Sequence, residues 1–432
     1  MDAIIINPST QDWPQIMERP KINSKNLEET VSEIINTVKD LGDAAVKDYS
    51  LKFHGFTPEN LWVTEKEIQS SSKLIDKKLK RAILLAKKNI EKFHKKQFEK
   101  IKKIETSPGV LCWRKSVAVQ NVGLYIPGGS APLFSTLLML AIPAKIAGCE
   151  NILVTTPAGK DGNVNAAVLF VAKVLCVKNI YKGGGAQAIA AMAYGTQTVK
   201  KVDKIFGPGN QYVTAAKKIV NIDGVVIDML AGPSELAVYA DETCVPAFVA
   251  ADLLSQAEHG ADSQVVLVAV NEQIIDKVIL EIHQQLPALP RKNIVEQSFM
   301  NRRFIVMKNT DDAFEFLNDY APEHLIIASE RAEELAEKVQ NAGSVFLGNL
   351  SPESAGDYAS GTNHSLPTNG FSKTFSGVSV DSFVKKITFQ KINNKGLKNI
   401  GNAVEVMAEA EGLSAHKNAV SIRLKNSKDG KI

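Results

Sequence analysis

Apolar side chains recur at helical intervals through the N-terminal quarter of the chain. Val31, Ile34, Ile35, Val38, Leu41 and Val46 keep that spacing between residues 27 and 49, which predicts helix there. A longer helical stretch is predicted over 65–103, with Leu79, Ile83, Ala86, Ile90 and Phe93 on one stripe. Its other face carries Lys77, Lys78, Lys87, Lys88, Lys95 and Lys96. Without interleaved aromatics or a basic motif these lysines read as a solvated face rather than a nucleic-acid surface.

The period then changes. Short apolar runs at 151–155, 179–181, 202–206 and 224–227 predict strands, with helices at 166–177 and 211–220. A second alternating region has helices at 245–259, 272–286, 311–320 and 330–342, and strands at 264–270, 303–307, 324–328 and 344–347. Strands alternating with helices predict βαβ units. The fold class expected is α/β, with two Rossmann-like domains of mostly parallel sheets and helical extensions at both ends. Residues 348–368 are rich in Gly, Ser, Pro and Asn and lack any apolar period, the mark of a functional or disordered loop. Residues 399–425 read as helix again, with a corner at Gly412-Leu413-Ser414.

At 432 residues the chain exceeds one ordinary domain. With 44% hydrophobic and 23% charged residues its composition is globular, and a formal charge of +4 gives no bulk attraction to nucleic acid or membrane. Cys112, Cys149, Cys176 and Cys244 show no CxxC spacing, as suits reduced thiols in a cytosol. The N-terminus lacks a basic region and a long apolar run, and the longest apolar stretches, such as 137–142, are far too short to span a bilayer. A cytoplasmic location is expected.

Histidine is scarce, with seven in all. His54, His94 and His283 lie in amphipathic or lysine-rich contexts and read as surface residues. Gln256 and His259 share one helix face at i, i+3 spacing and can converge on an ion. Glu323 and His324 open a strand after Pro322, where a histidine near its own pKa and a carboxylate could serve as bases. Asp357 and His364 lie in the glycine-rich loop; Glu411 and His416 flank the helix corner. Gln256, His259, Asp357 and His416 together offer two nitrogens and two oxygens, which suits zinc, and by ligand type manganese or cobalt as well. Separately, Gly183-Gly-Gly185-Ala-Gln-Ala188 fits G-x-G-x-x-A between a strand and a helix, with Asp203 near the spacing of a ribose-binding acid. The turns Tyr125-Ile-Pro-Gly-Gly129 and Phe206-Gly-Pro-Gly-Asn210 could line the same crevice.

In order along the chain, the segments 121–129, 207–210, 227–235 (Ile-Asp-Met-Leu-Ala-Gly-Pro-Ser-Glu), 252–259 (Asp-Leu-Leu-Ser-Gln-Ala-Glu-His), 320–324 and 411–416 resemble the histidinol dehydrogenase family. The resemblance implies a four-electron oxidation of L-histidinol to L-histidine through the aldehyde, using two NAD and one Zn2+ per subunit. It implies zinc ligands at Gln256, His259, Asp357 and His416, and acid-base work by Glu323 and His324. Substrate contacts would come from Ser234, Gln256, His259, His324, Asp357, His364, Glu411 and His416, and NAD contacts from Tyr125, Gln187 and Asn210. It further implies a homodimer with shared active sites. The division that follows is an N-terminal extension 1–21, a first α/β domain 22–124 plus 236–378, an NAD-binding domain 125–235, and a helical segment 379–432 completing the partner's site. Two rivals differ in kind. An aldehyde dehydrogenase acting through a thiohemiacetal would need an activated cysteine, Cys149 being the best placed. A non-catalytic polyanion binder would use the lysine-rich helices and leave the polar histidine contexts unexplained.

Overall fold

The strands are β1 (Ile4–Ile6), β2 (Lys103–Ser107), β3 (Val110–Ala118), β4 (Asn121–Tyr125), β5 (Asn151–Thr155), β6 (Asn179–Tyr181), β7 (Lys204–Phe206), β8 (Val226–Ile227), β9 (Glu235–Ala240), β10 (Gln264–Ala269), β11 (Arg303–Val306), β12 (His324–Ala328), β13 (Ser344–Leu347) and β14 (Val384–Ile392). The structure, a computed structural model, describes residues 4–20, 26–57, 59–98, 100–128, 133–229 and 232–428. Gly129, Leu230, Ala231 and the His54 side chain lie outside the described residues. The chain divides into a larger unit, 1–97 with 119–383, and a smaller one, 98–118 with 384–432.

The larger unit holds two parallel sheets, a five-stranded one in the order β6-β5-β4-β7-β8 and a six-stranded one in the order β1-β11-β10-β9-β12-β13. The α/β class with mostly parallel sheets is therefore observed. Strands β9, β10 and β12 are buried at every residue, which is why their sequences read as near-continuous apolar runs. In both sheets the chain lays down three adjacent strands and then crosses to the other side of the first. That leaves switch points between β4 and β7 and between β9 and β12.

Several boundaries differ from the sequence reading. The 27–49 stretch breaks at Gly42, whose φ is +59°, and the 65–103 stretch breaks at Asp76, whose side chain caps Leu79 N–H at 2.8 Å. The helices Leu27–Leu41, Glu65–Leu74 and Lys77–His94 pack against helices of the five-stranded sheet, and Asn89 of the last also donates to the Ala359 carbonyl at 2.8 Å. Segment 1–21 supplies an edge strand, β1, to the six-stranded sheet. On the helix Lys77–His94 the buried stripe ends on His94, 0% exposed, while Phe93 faces outward. His94 is thus a core residue, held through Nδ1 to the Ile90 carbonyl at 2.9 Å. Of the lysines, Lys87 pairs with Glu91 and the other five named are exposed.

The smaller unit is an antiparallel sheet, β14-β3-β2, with a helical hairpin Asn394–Ala410 and Ser414–Lys428 that turns at Gly412 (φ +73°). Residues 379–432 are therefore not all helical. Ile387 and Phe389 alternate with polar neighbours, a period of two that suits a strand. Among the described residues no helix is long and apolar enough to cross a membrane.

Candidate active site

A parallel strand presents different groups at its two ends, and the larger unit uses both. At the carboxyl edge of the five-stranded sheet, β4 ends on Tyr125 and β7 runs into Gly207. At the amino edge of the six-stranded sheet, β9 starts after Ser234 and β12 starts at His324. A cavity of about 180 Å³ is lined from both edges, by Gly207, Pro208 and Gly209 and by Ser234, His259, Glu323, His324, Asp357 and His364.

The glycine turn is built, not merely permissive. Gly207 has φ +125°, and a Cβ there would sit 2.1 Å from the Tyr125 carbonyl oxygen, so only glycine fits. Gly207 N–H donates to Asp228 Oδ2 at 2.8 Å, while buried Lys217 donates to the Gly207 carbonyl at 3.0 Å and to Asp228 Oδ1. Tyr125 accepts from Gly185 N–H at 3.1 Å through its hydroxyl, and Asn210 caps its helix by accepting from Tyr212 and Val213 N–H. Tyr125, Gly185 and Asn210 line one groove of about 1080 Å³ with Glu67 and Asp161. Gln187 is fully buried with both amide atoms unpartnered. Asp203 does not join them. Its carboxylate binds Asn121 N–H and Nδ2 at the start of β4, the edge opposite the glycine turns, so the ribose-acid expectation is corrected.

On the other side, Glu323 Oε2 accepts from Ser234 Oγ at 2.7 Å and from Glu235 N–H at 3.0 Å. Burial still holds its carboxyl well above the usual range, against those two bonds and with the charges of Glu235 and Asp357 adding to the rise. His324 is 3% exposed, and neither ring nitrogen has a hydrogen bond. Nδ1 lies 3.5 Å from Glu353 Oε1 and 3.7 Å from Glu323 Oε2, and Nε2 lies 3.7 Å from Asp357 Oδ1. Burial, with repulsion from His259 and His364, pulls its pKa down to about 3, so the ring is neutral near pH 7. His364 bonds the Asp357 carbonyl through Nδ1 at 2.9 Å and Thr136 Oγ1 through Nε2 at 3.3 Å.

A donor set for a metal gathers here. Gln256 is 0% exposed with Oε1 and Nε2 both unpartnered, and it stands one turn before His259. Among the described residues, His259, Glu353 and Asp357 bring ligand atoms within 4.8 Å of one another. Burial raises Asp357 to about 7. The imidazole and carboxylate of that cluster, with the orphaned buried amide of Gln256, are donor types that fit a zinc ion. Glu411 and His416 belong to the smaller unit, where both are exposed.

Two features escaped the sequence reading: Glu353, and the Lys217–Asp228 pair. A helix-borne lysine and an aspartate eleven residues on carry no signal of pairing. Cys149 is half-buried and its thiol is pushed up to about 11 by burial, the reverse of an activated nucleophile.

The sequence profile of the histidinol dehydrogenase family matches residues 17–424. The chain belongs to that family. It is 56% identical over 428 residues to the histidinol dehydrogenase of Bacteroides thetaiotaomicron, covering 99% of this chain and 100% of the relative. It is 51% identical over 417 residues to that of Campylobacter jejuni strain RM1221, 96% of each. The crystal structure of histidinol dehydrogenase from Elizabethkingia anophelis matches with a TM-score of 0.96 at 53% identity, over 98% of each chain. The switch-point crevice and the buried Glu323–His324 pair described above are thus those of a member of this family.

Proposed function

We propose that this chain is an NAD-dependent oxidoreductase that converts L-histidinol to L-histidine through the aldehyde, in two successive two-electron steps. The observation that carries the reading is the buried Glu323–His324 pair at the start of β12, facing the Gly207 turn across one cavity. The names of relatives at 56% and 51% identity support the substrate.

Neutral His324 takes the alcohol proton at Nε2 as hydride leaves the carbinol carbon. Glu323 then takes a proton from the water that adds to the aldehyde, giving the hydrate from which the second hydride departs; Ser234 holds that carboxylate in place. Tyr125, Gln187 and Asn210 would hold NAD, which when bound supplies the hydride acceptor for both steps. Gln256, His259 and Asp357, with His416, would hold zinc, which supplies orientation of the substrate's imidazole and amino nitrogens. His364 and Glu411 would contact the substrate. In a homodimer, the segment 379–432 would bring Glu411 and His416 to the partner's site.

The deciding measurement is NADH formed per histidinol consumed, with and without a chelator. Two per substrate, lost on chelation and restored by zinc, is expected. A ratio of one would limit the reaction to the alcohol step.

A further inference from the structure

The proposed chemistry uses Glu323 and His324 and leaves a third carboxyl idle. Glu353 opens the helix Glu353–Tyr358 inside the glycine-rich loop, is 1% exposed, and has no hydrogen bond to either oxygen. A carboxyl buried without a partner is costly, so its position asks for a role. Its Oε1 is the nearest carboxylate oxygen to His324 Nδ1, at 3.5 Å. The alternative acceptor, Glu323 Oε2 at 3.7 Å, is already taken by Ser234 Oγ and Glu235 N–H. The His324 backbone is fixed in register between Leu236 and Ser344, and its ring lies 6.0 Å from that of Phe346, which leaves ring orientation and tautomer as the unsettled variables.

We infer that Glu353 is the positioning residue of His324: it accepts a hydrogen bond from Nδ1–H and thereby keeps Nε2 unprotonated toward the cavity, against the pull of Asp357 Oδ1 at 3.7 Å from Nε2. This rests on the reading of His324 as the proton acceptor. The tautomer of an imidazole is set by the bond its other nitrogen makes. A base presenting Nε2–H instead could not take a proton from the substrate. At 3.5 Å the pair is long for a hydrogen bond, and catalytic bonds of this kind commonly tighten when substrate is bound. The competing role for Glu353 is metal ligation beside His259 and Asp357.

The test uses the full-length, zinc-loaded protein and two variants, Glu353→Leu and Glu353→Gln. Because neither oxygen of Glu353 is held by a hydrogen bond, a glutamine is free to turn its carbonyl toward Nδ1, whereas leucine offers no acceptor. Zinc per chain and the histidinol KM should stay near wild type in both. For Glu353→Leu, kcat should fall by roughly 10–100-fold, the usual effect of removing such a partner, and Glu353→Gln should recover most of it. Nitrogen-15 spectra of imidazole-labelled protein, with the His324 signal assigned by its loss in His324→Asn, should show Nδ1–H in wild type and Glu353→Gln and mixed tautomers in Glu353→Leu. Loss of zinc from both variants would make Glu353 a ligand and overturn the inference, as would an unchanged His324 tautomer in Glu353→Leu. Should the leucine variant not fold, an Nε2–H tautomer in resting wild type is sufficient to overturn it. These spectra need no turnover, so they decide the positioning role even if histidinol proves not to be the substrate.

Discussion

Ser234 Oγ donates a 2.7 Å hydrogen bond to Glu323 Oε2, joining the residue that precedes β9 to the residue that precedes β12. The bond places the carboxyl across the switch point of the six-stranded sheet, beside but not on the imidazole of His324. Under the proposed mechanism the two groups take different protons. Glu323→Gln should therefore slow the aldehyde step by about 10²–10⁴-fold, the range of a lost general base, and the alcohol step far less. Half-reactions assayed separately check this, and equal losses would remove the division of labour.

The Lys217–Asp228 pair is buried on both sides, at 3% side-chain exposure each. Lys217→Met leaves Asp228 charged in the interior without its cation, held only by the N–H groups of Gly207 and Met229, which should cost about 3–5 kcal/mol. Lys217→Met with Asp228→Leu should recover part of that in denaturant unfolding. The KM for NAD should rise in both, because Gly207 loses the bond to its carbonyl in the single variant and the bond to its N–H as well in the double.

His94 makes stability depend on pH. Burial lowers its pKa below the ordinary 6.5, and Nε2 is buried without an acceptor for a second proton. The unfolded chain thus binds the proton more readily. The contribution of neutral His94 is fully present above pH 6.5 and is lost as pH falls below that value toward the folded-state pKa. In thermal melts from pH 7.5 to 5, His94→Phe should flatten the acid-side decline relative to wild type. An identical slope in the two proteins would contradict this.

If His416 of one subunit completes the zinc site of another, neither His259→Ala nor His416→Ala should be active alone. Mixed under conditions that exchange subunits, they should form hybrids with one intact site in two. Activity near a quarter of wild type per chain is expected for a random mixture with about half its dimers hybrid, each carrying one active site. Verified hybrids without activity would put all four ligands on one chain.

Much of this was legible in the chain because buried parallel strands carry their own signature. The runs at β5, β6, β12 and β13 match the predicted bounds, whereas the helix expected over 245–259 ends at Ala257, before His259. Asp203 misled for a physical reason. Residue spacing after a glycine motif ignores where the next strand begins, and β7 starts directly after Asp203, which puts it at the wrong edge. Glu353 gave no signal at all, since only the folded loop brings it to His324. The stripe on Lys77–His94 was read with Phe93 as its end because hydrophobicity favours it, whereas the helical phase from Ile83, Ala86 and Ile90 favours residue 94.

The chain passes from the five-stranded to the six-stranded sheet through residues 228–234, and both ends of that passage are tied down. Asp228 is held to Gly207 and Lys217, and Ser234 to Glu323. The turn beside the cofactor groove and the carboxyl assigned to water activation therefore hang on one short tether of about 20 Å at full stretch. Slack in it would be felt at both ends, so under the proposed mechanism the spacing between hydride acceptor and base would be a length of backbone as much as a matter of side-chain packing.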